Sequence, residues 1–552
     1  MYNNSSILER NLLSLSLQNK ELAVELTKAE LSSVVSFKES RNNKSIIPVI
    51  NRSNRDYALH STFDPQKEGL RYSDSVKGGG YIVVFGLGGG YHIRELLKRN
   101  DINGILIIDK DIEILKAILS SIDLSDVLSD PRIFILIDKT SSYIREFLPE
   151  NYLPAITGNF QTISLRARID SDKEYFLSIF DTIKEVMDTL SDDYTVQTWF
   201  GKKWFLNSLS NLEPAESSTT ILRSQRNISI AGAGPSLELY LDELADNKRN
   251  TFLISTDTAL ACLLKNSIKP DLVISIDCQQ ISYQHFMAGY PKDIPLVLDL
   301  ASPPLLSRLS NKTLFFTSGH PFSRYVNKNW RQFPFIDTSG GNVTHAAVSL
   351  AESLGASNIY IYGADYSYPQ GKSYARGTYV YPYFSTRTDR TIPLESNFYK
   401  FLYRNENISM IKTDYGFRYI TRPMLNYKGR LETFAKKLNA NIIPVKGLGV
   451  DIDITPKEKV IHEPSIFSAG ESRSSWKEFL NIYKQKLKNL TVPDLPPSRY
   501  FSSLDYTDKD VWTTLFPVAA VIRKKYRDEN IKSSVLLSDV RDWALDAIDQ
   551  HL

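Results

Sequence analysis

The chain has 552 residues, 42% of them hydrophobic and 23% charged, which predicts two or three ordinary globular domains and excludes a disordered chain. Its formal net charge of +3 is spread out with no long basic block, so charge gives no sign of a nucleic-acid binder. No apolar run approaches membrane-spanning length, and the start, Met1-Tyr2-Asn3-Asn4-Ser5-Ser6, lacks the charged-then-apolar pattern of a secretion signal.

Residues 7–39 read as helix, with Leu at close spacing, and residues 41–77 as polar and irregular, with the strand-like piece Ile46-Ile47-Pro48-Val49-Ile50. At Gly78 the character changes. The run Tyr81 to Phe85 reads as a buried strand, followed by Gly86-Leu87-Gly88-Gly89-Gly90 and a helix over residues 92–99. A strand ending at Asp109, a helix over 111–121 and a strand over 132–137 follow, the alternation of a doubly wound parallel sheet. Residues 172–212 read as a helical connector carrying Trp199, Phe200, Trp204 and Phe205, and the Ser/Thr/Pro/Glu patch at 213–220 as a boundary.

A second alternation then begins. Strands are predicted at 228–231, 251–255, 272–276, 295–300, 313–316, 334–336, 358–362 and 441–444, with helices between most of them. After about Asp453 strands cease, and 474–488 and 518–552 read largely as helix. The fold class expected is therefore α/β, with two Rossmann-like open parallel sheets and a carboxy-terminal helical region. The segments are 1–77, 78–215, 216–455 and 456–552. Cys262 and Cys278, the two cysteines, fall in apolar patterns and cannot make a disulfide framework; a reducing cytoplasm is the simplest location. The abundance of Tyr and Phe favours aromatic packing and allows a stacking pocket.

The strongest local signal is Ala231-Gly232-Ala233-Gly234-Pro235-Ser236-Leu237, directly after a strand and opening a helix. Glycines let a ligand approach the amides, Pro235 suits a first helical turn, and Ser236 adds a hydroxyl, so a phosphate would be held there; a tight turn binding nothing has the same spelling. In an open α/β sheet ligands bind beyond the carboxyl ends of the strands. Thr256, Asp257, Asp277 and Asp365 fall at such ends, as does Thr338-Ser339-Gly340-Gly341-Asn342, a second amide-lined turn before a helix. His345 in that helix either faces a ligand or packs under the loop. Asp451-Ile452-Asp453 spells a metal-binding pair, but alternation in an extended segment gives the same spelling. No His/Cys set has zinc spacing, and no Gly-x-Ser-x-Gly elbow is present. The earlier turn, 86–90 with Asp109, resembles a dinucleotide or S-adenosylmethionine site without the full glycine spacing.

In this order, Gly232 to Ser236, Ser255-Thr256-Asp257, Lys269-Pro270-Asp271 to Asp277, Thr338 to Val343 and Gly363-Ala364-Asp365 resemble the MptE-like domain, with Tyr374-Ala375 and Gly377-Thr378 following. The helical start and first Rossmann-like unit are similar to the Maf flagellin glycosyltransferases. That resemblance implies transfer of a nonulosonic, sialic-acid-like sugar from a CMP-activated donor to Ser or Thr of flagellin. The middle region also resembles CMP-sialic-acid-dependent sialyltransferases, in which a Gly-Asn-Gly-Pro-Ser turn, a Ser-Gly helix start and an Ile-Tyr-x-x-Gly-x-Asp strand precede Ser-Tyr-Ala. By that match Gly232, Gly234, Pro235 and Ser236 lie by the nucleotide phosphate, and Ser339, Gly340, Gly341 and Asn342 frame the donor. Thr256, Asp257, Tyr362 and Tyr374 complete the expected substrate-binding set.

Two departures matter. Ala233 stands where those enzymes have Asn, and their general-base His has no counterpart, since the next His after His345 is His462. Asp277 and Asp365 are then the candidate catalytic bases, as strand-end carboxylates able to accept a hydroxyl proton if the site raises their pKa. No resident metal site is expected, although Mg²⁺ is possible. One alternative is a 6-hydroxymethylpterin diphosphokinase, with Mg²⁺ held by carboxylates such as Asp257 and Asp277. Another is a non-catalytic flagellin-binding protein.

Overall fold

Every position of Gly80–Phe85 is buried, as a strand covered on both faces requires. It pairs in parallel with Ile102–Asp109 on one side and Phe160–Ser164 on the other; Ile133–Ile137 completes a four-stranded sheet. The central region repeats the plan on a larger scale. Seven parallel strands lie in the order Thr313–Phe316, Leu296–Asp299, Leu272–Ser275, Phe252–Thr256, Asn227–Ala231, Asn358–Tyr362 and Asn441–Pro444. The two Rossmann-like parallel sheets expected from the sequence are therefore present.

The computed structural model describes residues 4–404, 407–414, 416–457, 465–526 and 531–552. The chain divides into two compact units: Met1–Gly201 with Lys486–Asp546, and Lys202–Gln485 with Ala547–Leu552. The carboxy-terminal residues are thus shared between the two.

Alternation along the strands sorts the central sheet's side chains onto two faces. Ile228, Ile230, Ile254 and Ile274 join a cluster with Ala346 and Leu350 of helix Val343–Ser353, the Leu354 that caps its end, and Leu431 of helix Arg422–Ala435. Ala231, Leu253 and Tyr362 face the other way, onto Leu237 and onto Ala259, Cys262 and Leu263 of helix Asp257–Lys265. An insertion between Asn358–Tyr362 and Asn441–Pro444 adds an antiparallel sheet, Tyr368–Pro369, Gly416–Ile420 and Ser409–Thr413. It also adds two aromatic-rich helices, Val380–Ser385 and Leu394–Leu402.

Several local readings differ from the structure; the stretch 41–77, read as irregular, holds the strand Arg55–Ala58 and the helix Pro65–Ser75. Residues 7–39 are not one helix: Asn19 accepts from the Leu22 N–H at 3.0 Å and starts a second helix, Lys20–Lys28. Val35–Glu39 then pairs antiparallel with Ile46–Arg52, where β-branched residues favour extension. The helix read at 172–212 spans Lys173–Ser217 and runs through the supposed boundary, with Pro214 inside it. Residues 334–336 give one bridge, Thr317 to Phe335, in place of a strand. Strands do not cease at Asp453, because Ile466–Phe467 pairs with Leu222–Arg223.

Candidate functional site

In the central sheet the chain starts at Asn227–Ala231, winds outward through four strands, and returns to Asn358–Tyr362 on the other side of the first strand. The order reverses between these two neighbours, and such a reversal opens a crevice at their carboxyl ends. Gly232 to Ser236 and Gly363 to Asp365 form its walls. The Gly232 N–H donates to the Tyr362 carbonyl and the Gly234 N–H to the Gly363 carbonyl, both at 2.8 Å. A Cβ on Gly234 would lie 2.4 Å from Asp365 Oδ2 and 2.6 Å from the Gly363 oxygen, so only glycine permits this approach. Pro235–Tyr240 opens as a 3₁₀ turn, not directly as an α-helix.

Asp365 is buried and turned onto Ser236, accepting from its N–H at 2.9 Å and from its hydroxyl. The Ser236 hydroxyl in turn accepts from the Leu448 N–H at 2.7 Å. Burial pushes the Asp365 carboxyl up, opposed by the Ser236 donors and the Gly449 amide. Its contacts make it a brace for the turn. The Gly232, Gly234 and Ser236 amides are likewise spent on protein acceptors. Among the described residues no group accepts from the half-buried Ala233 N–H. A cavity of about 200 Å³ lies beside the brace, lined by Ser236, Ala364, Asp365, Lys446, Gly447 and Asp451.

The neighbouring strand ends carry the remaining acids. Asp257 is buried and satisfied: Oδ1 accepts from the Thr258 N–H at 2.7 Å and Oδ2 from the Ser275 hydroxyl at 2.7 Å. The Thr256 hydroxyl donates to the Ala231 carbonyl at 3.1 Å. Asp277 is half-buried and accepts from the Gln279 N–H at 2.9 Å. Burial raises its pKa, the Gln279 amide opposes this, and the charge of Asp257 raises it further. Of the two carboxylates expected from the sequence to be bases, Asp277 is held by Gln279, through its amide and its side chain, and not by a buried hydroxyl as Asp365 is. Among the described residues, no group of three or more His, Cys, Asp or Glu side chains could hold a metal ion.

The insertion supplies aromatic side chains. The Tyr374 and Tyr379 rings lie 6.4 Å apart, and the Arg404 guanidinium sits 3.8 Å over the Phe401 ring. Burial raises the pKa of both tyrosines; both feel the charges of Asp257 and Arg404, and Tyr379 also that of Asp277. Tyr362 points to the sheet face and donates to Glu243 at 2.7 Å.

The second glycine turn lies over the opposite sheet face, since the helix it opens packs there. Asn342 caps that helix, accepting from the His345 N–H at 3.0 Å, and Asp337 accepts from the Ser339 N–H at 2.8 Å. The Gly341 N–H closes the turn on the Thr338 carbonyl at 3.0 Å, and the Gly340 carbonyl accepts from the Asn342 side chain. His345 is buried and stacks on Phe434 at 4.3 Å, beside an open groove lined by Asp337, Ser339, Arg430 and Lys437. Burial depresses its pKa against the opposing pull of Asp337. Packing and groove-lining therefore coexist in this residue. Asp451 lines the cavity beside the brace, whereas Asp453 offers its N–H to Glu432. His462 lies outside the described residues.

Sequence reasoning missed two histidines near this edge. His285 meets the Tyr379 ring edge-on at 4.5 Å, and its buried Nδ1 has no partner among the described residues. His320 stacks on Trp204 at 4.2 Å, its Nε2 3.9 Å from Asp299. Neither sits in a motif; strand order alone brings them to the acids.

Residues 203–371 match the family model described as 6-hydroxymethylpterin diphosphokinase MptE-like. Residues 18–140 match that of the Glycosyltransferase Maf N-terminal domain. An uncharacterized protein of Treponema pallidum (strain Nichols) is 39% identical over 124 residues, 22% of this chain and 44% of that one. The chain thus spans less than half of that relative's length. A second from the same organism is 31% identical over 171 residues, 30% of this chain and 80% of that one. The solved structure of a MAf glycosyltransferase from Magnetospirillum magneticum AMB-1 has a TM-score of 0.58 over 100% of this chain and 96% of that one, at 16% identity, a likeness of fold.

Proposed function

We propose, for a chain that belongs to the Maf glycosyltransferase family with an MptE-like central domain, that it transfers a sugar from a nucleotide-activated donor to a hydroxyl acceptor at the carboxyl edge of the seven-stranded sheet. The donor is a CMP-activated nonulosonic sugar and the acceptor Ser or Thr of flagellin, in the cytoplasm. The observation that carries this reading is the switch-point crevice between Asn227–Ala231 and Asn358–Tyr362, with Asp277 two strands along the same carboxyl edge and the aromatic insertion following the second strand. Tyr374 and Tyr379 offer the base and sugar faces to stack on. The Ala233 N–H is left for the phosphate, and the Ser339 to Asn342 turn frames the donor from the other side of the crevice. In the reaction the acceptor oxygen attacks the anomeric carbon while the bond to the CMP phosphate breaks. Water exclusion and fixed dipoles stabilise the departing phosphate.

The diphosphokinase alternative asks Asp257 and Asp277 for Mg²⁺, but both Asp257 oxygens already accept from protein hydroxyl or amide groups. Calorimetry on the full chain separates the two. CMP is expected to bind without added metal and ATP to stay silent; Mg²⁺-dependent ATP binding with silent CMP overturns the transferase reading.

A further inference from the structure

The amino edge of the four-stranded sheet lies opposite the edge where open α/β sheets hold their ligands. It borders a cavity of about 530 Å³, a size that takes a small-molecule ligand. Every lining residue belongs to the unit formed by Met1–Gly201 and Lys486–Asp546. Gly80 and Ile102, which open two of the strands, stand on one side, with the side-chain amides of Asn100, Asn103 and Asn159 around them.

The charges on the other side do not cancel. Lys532 pairs with Asp494, and the lining acid Asp101 with Arg99. Arg523 and Lys524, in the last turn of helix Tyr506–Lys525, pair with no carboxylate among the described residues. A helix carboxyl end attracts cations, which accounts for their presence but not for where the Arg523 side chain goes. Its Nη1 donates to the Ile156 carbonyl at 3.0 Å and the Ala155 carbonyl at 3.3 Å; Nε and Nη2 have no acceptor among the described residues. A Cβ on residue 158 would lie 2.4 Å from Nη2, so Gly158, at φ +87°, is what admits the guanidinium. Burial pushes the Arg523 pKa down, and only the Tyr194 and Tyr152 hydroxyls oppose it. A half-buried cation held by carbonyls alone carries a desolvation cost that an anion would offset.

Helix Ser533–Asp549 begins at the same place. The Ser533 hydroxyl donates to the Ile156 carbonyl at 3.2 Å, so this helix start and Arg523 meet on one oxygen. The Ser533 and Ser534 N–H groups have no acceptor among the described residues, and the first turn holds no acid. Lys524 is exposed at the rim, its Nζ 3.5 Å over the Trp199 ring.

We propose that this cavity binds a phosphorylated small molecule, its phosphate seated between the Arg523 guanidinium and the start of helix Ser533–Asp549, with Lys524 at the rim. Two cations without acids suit a phosphate dianion better than a singly charged carboxylate, and a guanidinium with two open donors suits its oxygens. The asparagine amides meet the remainder of the molecule. The site lies apart from the sugar-transfer crevice and holds or fails independently of that reading.

Calorimetry on the full chain with inorganic phosphate, at an ionic strength fixed with chloride, tests it. One phosphate per chain is expected, bound at least tenfold more tightly than acetate. Arg523→Gln and Lys524→Glu are each expected to raise the phosphate Kd at least tenfold. Lys524→Glu changes an exposed side chain, so it keeps the test open if Arg523→Gln does not fold. Parent-like phosphate affinity in Lys524→Glu, or no phosphate binding by the parent, overturns the site. Acetate bound as tightly as phosphate overturns the ligand class. Phosphate binding that Ser236→Ala abolishes and Lys524→Glu leaves intact would belong to the central crevice, and also overturns the inference.

Discussion

The two parallel sheets share a plan and differ at the place where the plan puts a ligand. In both, a glycine turn follows the first strand, an acid ends the next strand, and the order reverses beside the first strand. In the amino-terminal unit that crevice is filled by the protein itself. The Gly89 N–H donates to His60 Nε2 at 2.8 Å and the Leu87 N–H to Asp109 at 3.0 Å. A Cβ on Gly88, itself at φ +51°, would lie 2.4 Å from His60 and 2.7 Å from Leu165. Arg168 reaches Asp109 at 2.7 Å and also pairs with Asp172. The turn that resembled a cofactor site therefore has its amides and its acid committed to packing. In the central sheet the Gly232, Gly234 and Ser236 amides are spent as well, but the Ala233 N–H has no acceptor among the described residues and a cavity of about 200 Å³ lies beside the brace of Ser236 and Asp365. One plan thus serves as scaffold in one unit and as a candidate site in the other, and the difference lies in side chains that arrive from outside the glycine motif.

The sharpest way to break the comparison is to unplug the filled crevice. Arg168 and Asp109 are buried, at 0% and 6% side-chain exposure, so their pairing is little screened. Arg168→Met strands the buried Asp109 without its guanidinium, while Asp172 keeps Arg52 and Lys110, an expected loss of about 3–5 kcal/mol. Urea unfolding checks this, with CMP affinity of the folded protein unchanged. A loss below about 1 kcal/mol would mean that Arg168 is dispensable and the crevice can be opened.

These contrasts mark what the sequence could reveal. Both sheets were legible because buried parallel strands spell near-continuous apolar runs and their links are short. The turns at Gly232 and Gly341 were legible because glycine is demanded by backbone geometry. What these turns and their acids pair with was not, since His60, Arg168 and Leu448 come from segments with no motif. The seven-stranded order, which brings His320 to Asp299 and Asp365 to Ser236, depends on long-range pairing that local periodicity does not record. Asp365 was picked as a base from its strand-end position, and only its contacts disclose a brace.

The central turn offers the matching test. Ser236→Ala removes the hydroxyl that links Asp365 to the Leu448 N–H. It leaves a buried carboxylate one donor short and an amide unpaired, an expected loss of about 1–3 kcal/mol. CMP affinity should fall with it, because the turn loses its brace. If stability drops and affinity does not, the nucleotide does not rest on this turn.

The smallest expected effect is one of pH, and it again separates the units. His92 is buried in the amino-terminal unit, both ring nitrogens lack partners among the described residues, and burial together with His60 holds its pKa well below the ordinary value. The unfolded chain takes up a proton near pH 6.5 that the folded chain refuses. Its contribution to stability is therefore complete above about pH 6.5 and declines below it, by about 1.4 kcal/mol per pH unit for one proton, until the folded pKa is reached. His92→Leu removes that slope and keeps the apolar packing beside Tyr72. Urea unfolding at pH 7 and pH 5.5 checks it, read on the transition of the amino-terminal unit. A variant as acid-sensitive as the parent would show that the proton is taken up elsewhere, with His320 and His345 of the central unit, both depressed by burial, next in line.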